Sequence, residues 1–169
     1  MIRSFLILAC AAAMLSGCRT SYSWTSTVPE QKRTVCVPTF RNESKVTELG
    51  SLASRQLLRE FQREGTFRVA HPDDAVIEIQ GVIRGASGVH KGGARRLGYQ
   101  LNNYELNVAA VVSVVDRTSA KVIIENRLYT AQAPFVSNDD VMTNTRNASA
   151  RAAEDLARQV VDDVLAYQW

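Results

Sequence analysis

Tyr104-Glu105-Leu106-Asn107-Val108-Ala109-Ala110-Val111-Val112-Ser113-Val114-Val115 is the stretch on which the fold turns. Tyr104, Leu106, Val108, Ala110, Val112 and Val114 form one apolar row, while Glu105, Asn107 and Ser113 fall in the other row with Ala109, Val111 and Val115. A period of two predicts a strand with one buried face. Upstream, Ala75, Ile77, Ile79, Gly81 and Ile83 alternate with Val76, Glu78, Gln80, Val82 and Arg84 in the same way. Downstream, Asp116-Arg117-Thr118-Ser119 predicts a turn. Lys121 to Ala131 then predicts a third strand, with Val122, Ile124 and Leu128 inward and Lys121, Glu125 and Arg127 outward. Three strands in succession predict an antiparallel meander.

Two helices flank it. Val46, Leu49, Ala53, Leu57 and Phe61 recur at helical spacing, with Glu48, Arg55, Arg59 and Arg63 opposite, and Gly65 predicts a left-handed stop. Arg41-Asn42-Glu43-Ser44 predicts a turn that caps this helix. From Asn138 to Tyr167, Ser149, Ala153, Leu156, Ala157, Val160 and Val164 line one side of a second helix, with Asn138, Asp139 and Asp140 at its start, where the helix dipole favours them. Thr34 to Phe40 reads as a short strand, and Phe67 to Ala70 as an extended piece before a turn at Pro72-Asp73-Asp74. The order is β-α-β-β-β-α, an α+β two-layer sandwich with a mostly antiparallel four-stranded sheet and both helices on one face. That leaves Glu78, Gln80, Arg84, Glu105, Asn107, Lys121, Glu125 and Arg127 on an open, polar face.

The chain has 169 residues, 46% hydrophobic and 22% charged, which suits one domain with its own core. Its net charge of +3 is small and interspersed, so nucleic acid is not an expected partner. Met1-Ile2-Arg3 precedes the apolar run Phe5 to Leu15, the length of a signal-peptide core and short of the ~20 residues a membrane span takes. Leu15-Ser16-Gly17-Cys18 resembles the bacterial lipoprotein processing site, which implies a chain beginning at Cys18 with lipid on its sulfur and amine. Several acyl chains anchor stably where one binds marginally. Arg19 after the lipidated position implies, by the same resemblance, the outer membrane. The expected organisation is a signal peptide at 1–17, a lipidated N-terminus and linker at 18–33, and a single domain at 34–169. Cys36, in Val35-Cys36-Val37, reads as a buried, inert thiol.

The catalytic inventory is thin. His71 and His90 have no metal-ligand spacing, and no nucleophile elbow, zinc-protease or phosphate-loop motif occurs. The expectation is no enzyme, no metal and no cofactor. One segment stands out: Gly85 to Gly98 holds five of the nine glycines together with Lys91, Arg95 and Arg96, and reads as a mobile, basic hairpin tip. Glycine amides and arginine forks suit phosphate or carboxylate groups, and in an envelope protein the anions at hand are lipid phosphates. The same segment also reads as a solvated connection whose charges maintain solubility.

Taken in order, the pieces resemble the lipopolysaccharide-assembly lipoproteins of the LptE family. The resemblance lies in Leu15-Ser16-Gly17-Cys18, Tyr22-Ser23-Trp24, Val28-Pro29, Val35 to Asn42 before the first helix, Gly65-Thr66-Phe67-Arg68-Val69, the strand with Gly81, Tyr104-Glu105-Leu106-Asn107-Val108 and the closing Trp169. It implies a plug inside a large outer-membrane β-barrel of the LptD type, aiding barrel assembly and delivery of lipopolysaccharide to the outer leaflet. It also implies lipopolysaccharide contact through basic residues near the middle hairpin, matched here by Arg95 and Arg96 with Lys91 beside them, and near the start of the last helix, where Phe135 to Asp140 has no basic residue. The alternative is another outer-membrane lipoprotein that binds proteins, resembling curli-secretion subunits or activators of peptidoglycan synthases. A linker from Arg19 to Arg33, at most ~3.5 Å per residue, is short for crossing the cell wall.

Overall fold

The computed structural model describes residues 28–96, 99–137 and 141–169; the side chains of 94–96, 99–101, 137 and 141 are not among those described. The signal segment 1–17, Cys18, Tyr22, Trp24 and the helix-start residues Asn138, Asp139 and Asp140 lie outside the described residues.

After a 3-10 turn at Glu30–Lys32, the elements run β1 (Thr34–Cys36), β2 (Arg41–Asn42), α1 (Leu49–Glu64), β3 (Arg68–Val69), β4 (Ile77–Arg96), β5 (Tyr99–Asp116), β6 (Lys121–Ser137) and α2 (Val141–Ala166). The expected α+β architecture is present, but among the described residues the sheet has six strands and is mixed: the order is β3-β1-β4-β5-β6, with β2 also beside β4. β1 runs parallel to β3 and β4, β2 runs parallel to β4, and only β4-β5-β6 form the antiparallel meander. The reason is the crossover: α1 carries the chain from β1 to β3, and strands joined through a helix lie parallel. β2 and β3, two residues each, are too short for a period of two to register.

The inward rows of the sheet and the apolar faces of both helices form one core. Ile77, Ile79 and Ile83 of β4, Leu106, Val108, Ala110, Val112 and Val114 of β5, Leu49, Leu57 and Phe61 of α1, and Leu156, Val160 and Val164 of α2 are buried in it. Each such side chain contributes roughly 1.5–3 kcal/mol of burial. Val28 packs into the same core, so the last residues of the segment expected as a linker fold with the domain. Trp169 closes the other end, its Nε1 donating to the Val164 carbonyl at 3.0 Å and its ring 5.6 Å from that of Phe67.

A tight junction sets where α1 and β2 meet the sheet. The Phe40 N–H donates to Ser54 Oγ at 2.8 Å, and the Phe40 ring covers Gly81 so closely that a Cβ there would overlap it. On the other side, Gly50 of α1 lies against the Phe40 carbonyl with no room for a Cβ. Asn42 then holds the following turn, accepting the Ser44 N–H at Oδ1 (3.0 Å) and donating from Nδ2 to the Val46 carbonyl (2.8 Å). This corrects the expected cap. Asn42 keeps the chain in a turn through Val46, and α1 starts at Leu49 behind Glu48, which has φ of 66° and no side-chain cap. Gly65, with φ of 85°, ends the helix as expected, its N–H reaching the Phe61 carbonyl at 3.0 Å.

The expected faces of β4 and β5 are observed, whereas much of β6 is reversed. Leu128 is 61% and Val122 47% exposed, while Tyr129, Ala131, Ala133 and Phe135 point inward. Between its pairings with Val112 and Asp116, β6 carries two extra residues. One bulge centres on Asn126, which has φ of 43°, donates its N–H to Ser113 Oγ at 3.0 Å and accepts at Oδ1 from the same hydroxyl. Each inserted residue exchanges the two faces.

Candidate functional site

The segment Gly85 to Gly98, expected as a mobile loop, is strand as far as Arg96. β4 continues past Arg84 in register with β5, from Gly85 opposite Ala109 to Arg96 opposite Tyr99. At ~3.3 Å per residue, the hairpin runs on the order of 40 Å beyond Arg84. Periodicity missed it for a physical reason. Alternation marks a strand only where one face meets a core, and the buried core on this side ends at Leu106 and Phe135.

Beyond that boundary the inward face carries an aromatic row. Tyr104 stacks on Phe135 with ring centroids 5.3 Å apart, and His90 meets Tyr104 edge-on at 5.2 Å. Sequence reasoning placed Tyr104 in a strand but left His90 and Phe135 unassigned; only hairpin register, which pairs His90 with Tyr104 and Tyr104 with Phe135, brings the three together. A groove of about 210 Å³ runs beside them, lined by Tyr104, Pro134, Phe135, Val136, Lys91 and Glu105 among others.

Of the three basic residues singled out in the sequence, Lys91 is paired with a carboxylate across the hairpin. Lys91 Nζ lies 3.0 Å from Glu105 Oε1, and Lys91 is the extra residue at the bulge between His90 and Gly92, where Gly92 takes φ of 114°. Arg95 and Arg96 hold the last two positions of β4, opposite Gln100 and Tyr99; their side chains are outside the described set.

The open face holds a second, polar groove of about 370 Å³, lined by Thr39, Arg41, Glu78, Gln80, Arg84 and Ser113 among others. Its charges are internally matched. Arg84 reaches Glu43 at 2.8 Å and Arg41 pairs with the same carboxylate, which holds the Glu43 carboxyl below its ordinary range, Arg84 acting most strongly. Arg117 lies 3.4 Å from Glu78, which also accepts from Gln80 at 2.8 Å. Asn107 Oδ1 is buried without a hydrogen-bond partner among the described residues. Two residues expected on this face belong to the helical side instead, because the β6 bulges turn them over. Arg127 lies 3.1 Å from Asp163 of α2, and Lys121 lies over the Tyr167 ring at 5.5 Å.

Away from these surfaces, Cys36 is buried, and burial followed by the nearby Glu78 charge pushes its thiol up. His71 is an exposed turn residue 3.2 Å from Asp73. Among the described residues there is no group of three potential metal ligands, and no helix is long and apolar enough to cross a membrane.

No curated protein sequence matches the chain. Solved structures share its fold. A hypothetical protein from Chlamydia trachomatis superposes with a TM-score of 0.56 at 15% identity, covering 81% of this chain and 98% of its own. A neuraminyllactose-binding hemagglutinin homolog from Helicobacter pylori gives 0.52 at 11% identity, covering 82% and 86%. A minor lipoprotein from Acinetobacter baumannii gives 0.50 at 13%, covering 80% and 94%. At such identities the likeness is one of fold alone. The sequence model of LptE, described as lipopolysaccharide assembly, matches residues 32–166, from the 3-10 turn to the last residue of α2. That match spans both helices and all six strands, and by it the chain belongs to the LptE family of lipopolysaccharide-assembly proteins.

Proposed function

We propose that the chain is an outer-membrane lipoprotein, anchored through lipid on Cys18, that stands as a plug in the lumen of an LptD-type β-barrel. There it assists barrel assembly and helps deliver lipopolysaccharide to the outer leaflet. The observation that carries this reading is the family match over residues 32–166, which gives a general role in lipopolysaccharide assembly. The shape of the domain agrees with it. A long hairpin extends past the helical core, and a polar, internally paired sheet face suits a water-filled lumen better than a lipid one.

The role needs no bond-making chemistry. Arg95 and Arg96, at the end of β4, are the residues we assign to lipid phosphates, where guanidinium forks compete with divalent cations for the same oxygens. Lys91, already engaged by Glu105, contributes less to this contact. The test is affinity isolation of the tagged, detergent-extracted protein at high salt, with mass spectrometry of what stays bound. Recovery of a large outer-membrane β-barrel near one to one is the expected result. Recovery of a peptidoglycan synthase, or of the protein alone as a ring, refutes the plug reading.

A further inference from the structure

Past Ile83 the sheet has two outer edges, and the chain treats them differently. On β6, Pro134 offers no N–H, Gln159 of α2 donates from Nε2 to the Thr130 carbonyl at 3.0 Å, and Arg151 donates from Nη2 to the Pro134 carbonyl at 2.6 Å. Natural sheets block exposed edges by such devices, because a row of unpaired amides recruits another strand. Among the described residues, the β4 edge from Gly85 to Gly93 has no proline and no side-chain hydrogen bond to its backbone; its interruptions are the bulges before Gly85 and at Lys91. β1 and β2 pair with β4 only at Ile77–Glu78 and Val82–Ile83, and among the described residues nothing else pairs along that edge.

Register identifies the groups this edge presents. The Glu43 N–H bonds the Ile83 carbonyl from the β2 side, so Ile83 faces the edge. The bulge before Gly85 shifts the alternation by one, and beyond it Ala86, Gly88 and His90 face outward. Neither Gly85 nor Gly88 has a positive φ, and a Cβ at either would meet nothing within 4 Å. The bulge accounts for Gly85; Gly88 lies clear of both bulges, and a glycine inside a strand with no such reason is one mark of a place where another backbone comes close. Charge narrows the choice of occupant. No acidic residue occurs between Glu78 and Glu105; Arg84 pairs with Glu43 and Lys91 with Glu105, so Arg95 and Arg96 at the far end of β4 give the segment its positive charge.

We propose that the Gly85–Gly93 edge of β4 takes up an extended, carboxylate-bearing segment of a partner protein as an added β-strand. A second copy of this chain brings no carboxylate of its own to that edge, since the segment between Glu78 and Glu105 has no acidic residue. The inference goes beyond the barrel reading and does not depend on it, because any protein that supplies an acidic strand satisfies it.

The test uses the full lipidated chain in detergent and a peptide of alternating valine and glutamate as the probe. The peptide is expected to bind and to slow hydrogen exchange at Ala86 and Gly88, a readout on the unaltered protein. Gly88→Pro removes one edge-facing N–H and leaves the β5 pairing in place; it is expected to weaken peptide binding at least about fivefold, as the loss of one hydrogen bond does. Gly88→Ala keeps the N–H and is expected to bind within about twofold of the parent. Equal binding of the lysine-for-valine-glutamate counterpart, in which lysine replaces each glutamate, overturns the proposal. So does protection of Ala86 and Gly88 in the chain alone, which means its own residues cover the edge, and so does dimerisation of the parent chain through β4.

Discussion

Replacing Gly81 by alanine tests the junction on which β2, α1 and β4 converge. The new methyl would stand where the Phe40 ring lies, and that ring has little freedom to yield. Phe40 is 6% exposed, its N–H is held by Ser54, and its carbonyl is pressed against Gly50. Overpacking of this kind costs roughly 1–3 kcal/mol, and the restraint on both sides of Phe40 places Gly81→Ala in the upper half of that range. Phe40→Ala alone removes the ring and leaves a cavity, at about 3–5 kcal/mol. In the double variant the alanine methyl enters the vacated space, so the two losses are expected to fall short of their sum by about 1–2 kcal/mol. Urea unfolding of the four proteins in detergent, followed by far-ultraviolet circular dichroism, reads these differences as shifts in midpoint at constant slope. A Gly81→Ala protein within about 0.5 kcal/mol of the parent, or strict additivity in the double variant, refutes the steric argument.

Three further outcomes are expected. Asp116 is 1% exposed; burial opposes its ionisation, but the Lys32 ammonium at 2.7 Å and the Thr118 and Ser119 N–H groups outweigh it and lower its carboxyl from 3.8 to about 2. Because the folded value lies below the unfolded one, the stabilisation is complete above pH 4 and is lost as pH falls through about 2. Screening through the half-exposed Lys32 trims it to about 1–2 kcal/mol, so Asp116→Asn should lower the urea midpoint at pH 7 and converge with the parent near pH 2. Arg95→Glu with Arg96→Glu is expected to leave the unfolding midpoint within about 0.5 kcal/mol of the parent while weakening lipopolysaccharide binding at least about tenfold, measured on the purified proteins; unchanged binding removes these residues from the mechanism. Cys18→Ala is expected to lose outer-membrane fractionation, and a variant that still sediments with that membrane has another contact holding it there.

The α+β class, the apolar faces of α1 and α2, and the inward rows of β4 and β5 up to Tyr104 were legible in the sequence, because each lies against a core. A core-facing element must alternate or repeat in its apolar residues, so its period is written in the chain. Gly65 as a helix stop was legible for a local reason, the left-handed conformation that glycine accepts. The basic residues Lys91, Arg95 and Arg96 could be picked out by composition, but their grouping could not be judged, since the ion pair of Lys91 with Glu105 forms only across the hairpin.

What tertiary structure alone decided are features that depend on partners distant in the chain. Two bulges, one of them bonded through Ser113 and Asn126, reverse Val122 and Leu128 although their local pattern points inward. The parallel placement of β1 between β3 and β4 follows from where α1 returns the chain, and no short-range period encodes it. The distal half of β4 has no core face and hence no alternation, yet it is held as strand by backbone bonds to β5 that any residue with a free N–H and carbonyl can make. Side-chain patterns report burial, whereas register and edges are settled by backbone hydrogen bonds, which leave little mark on composition.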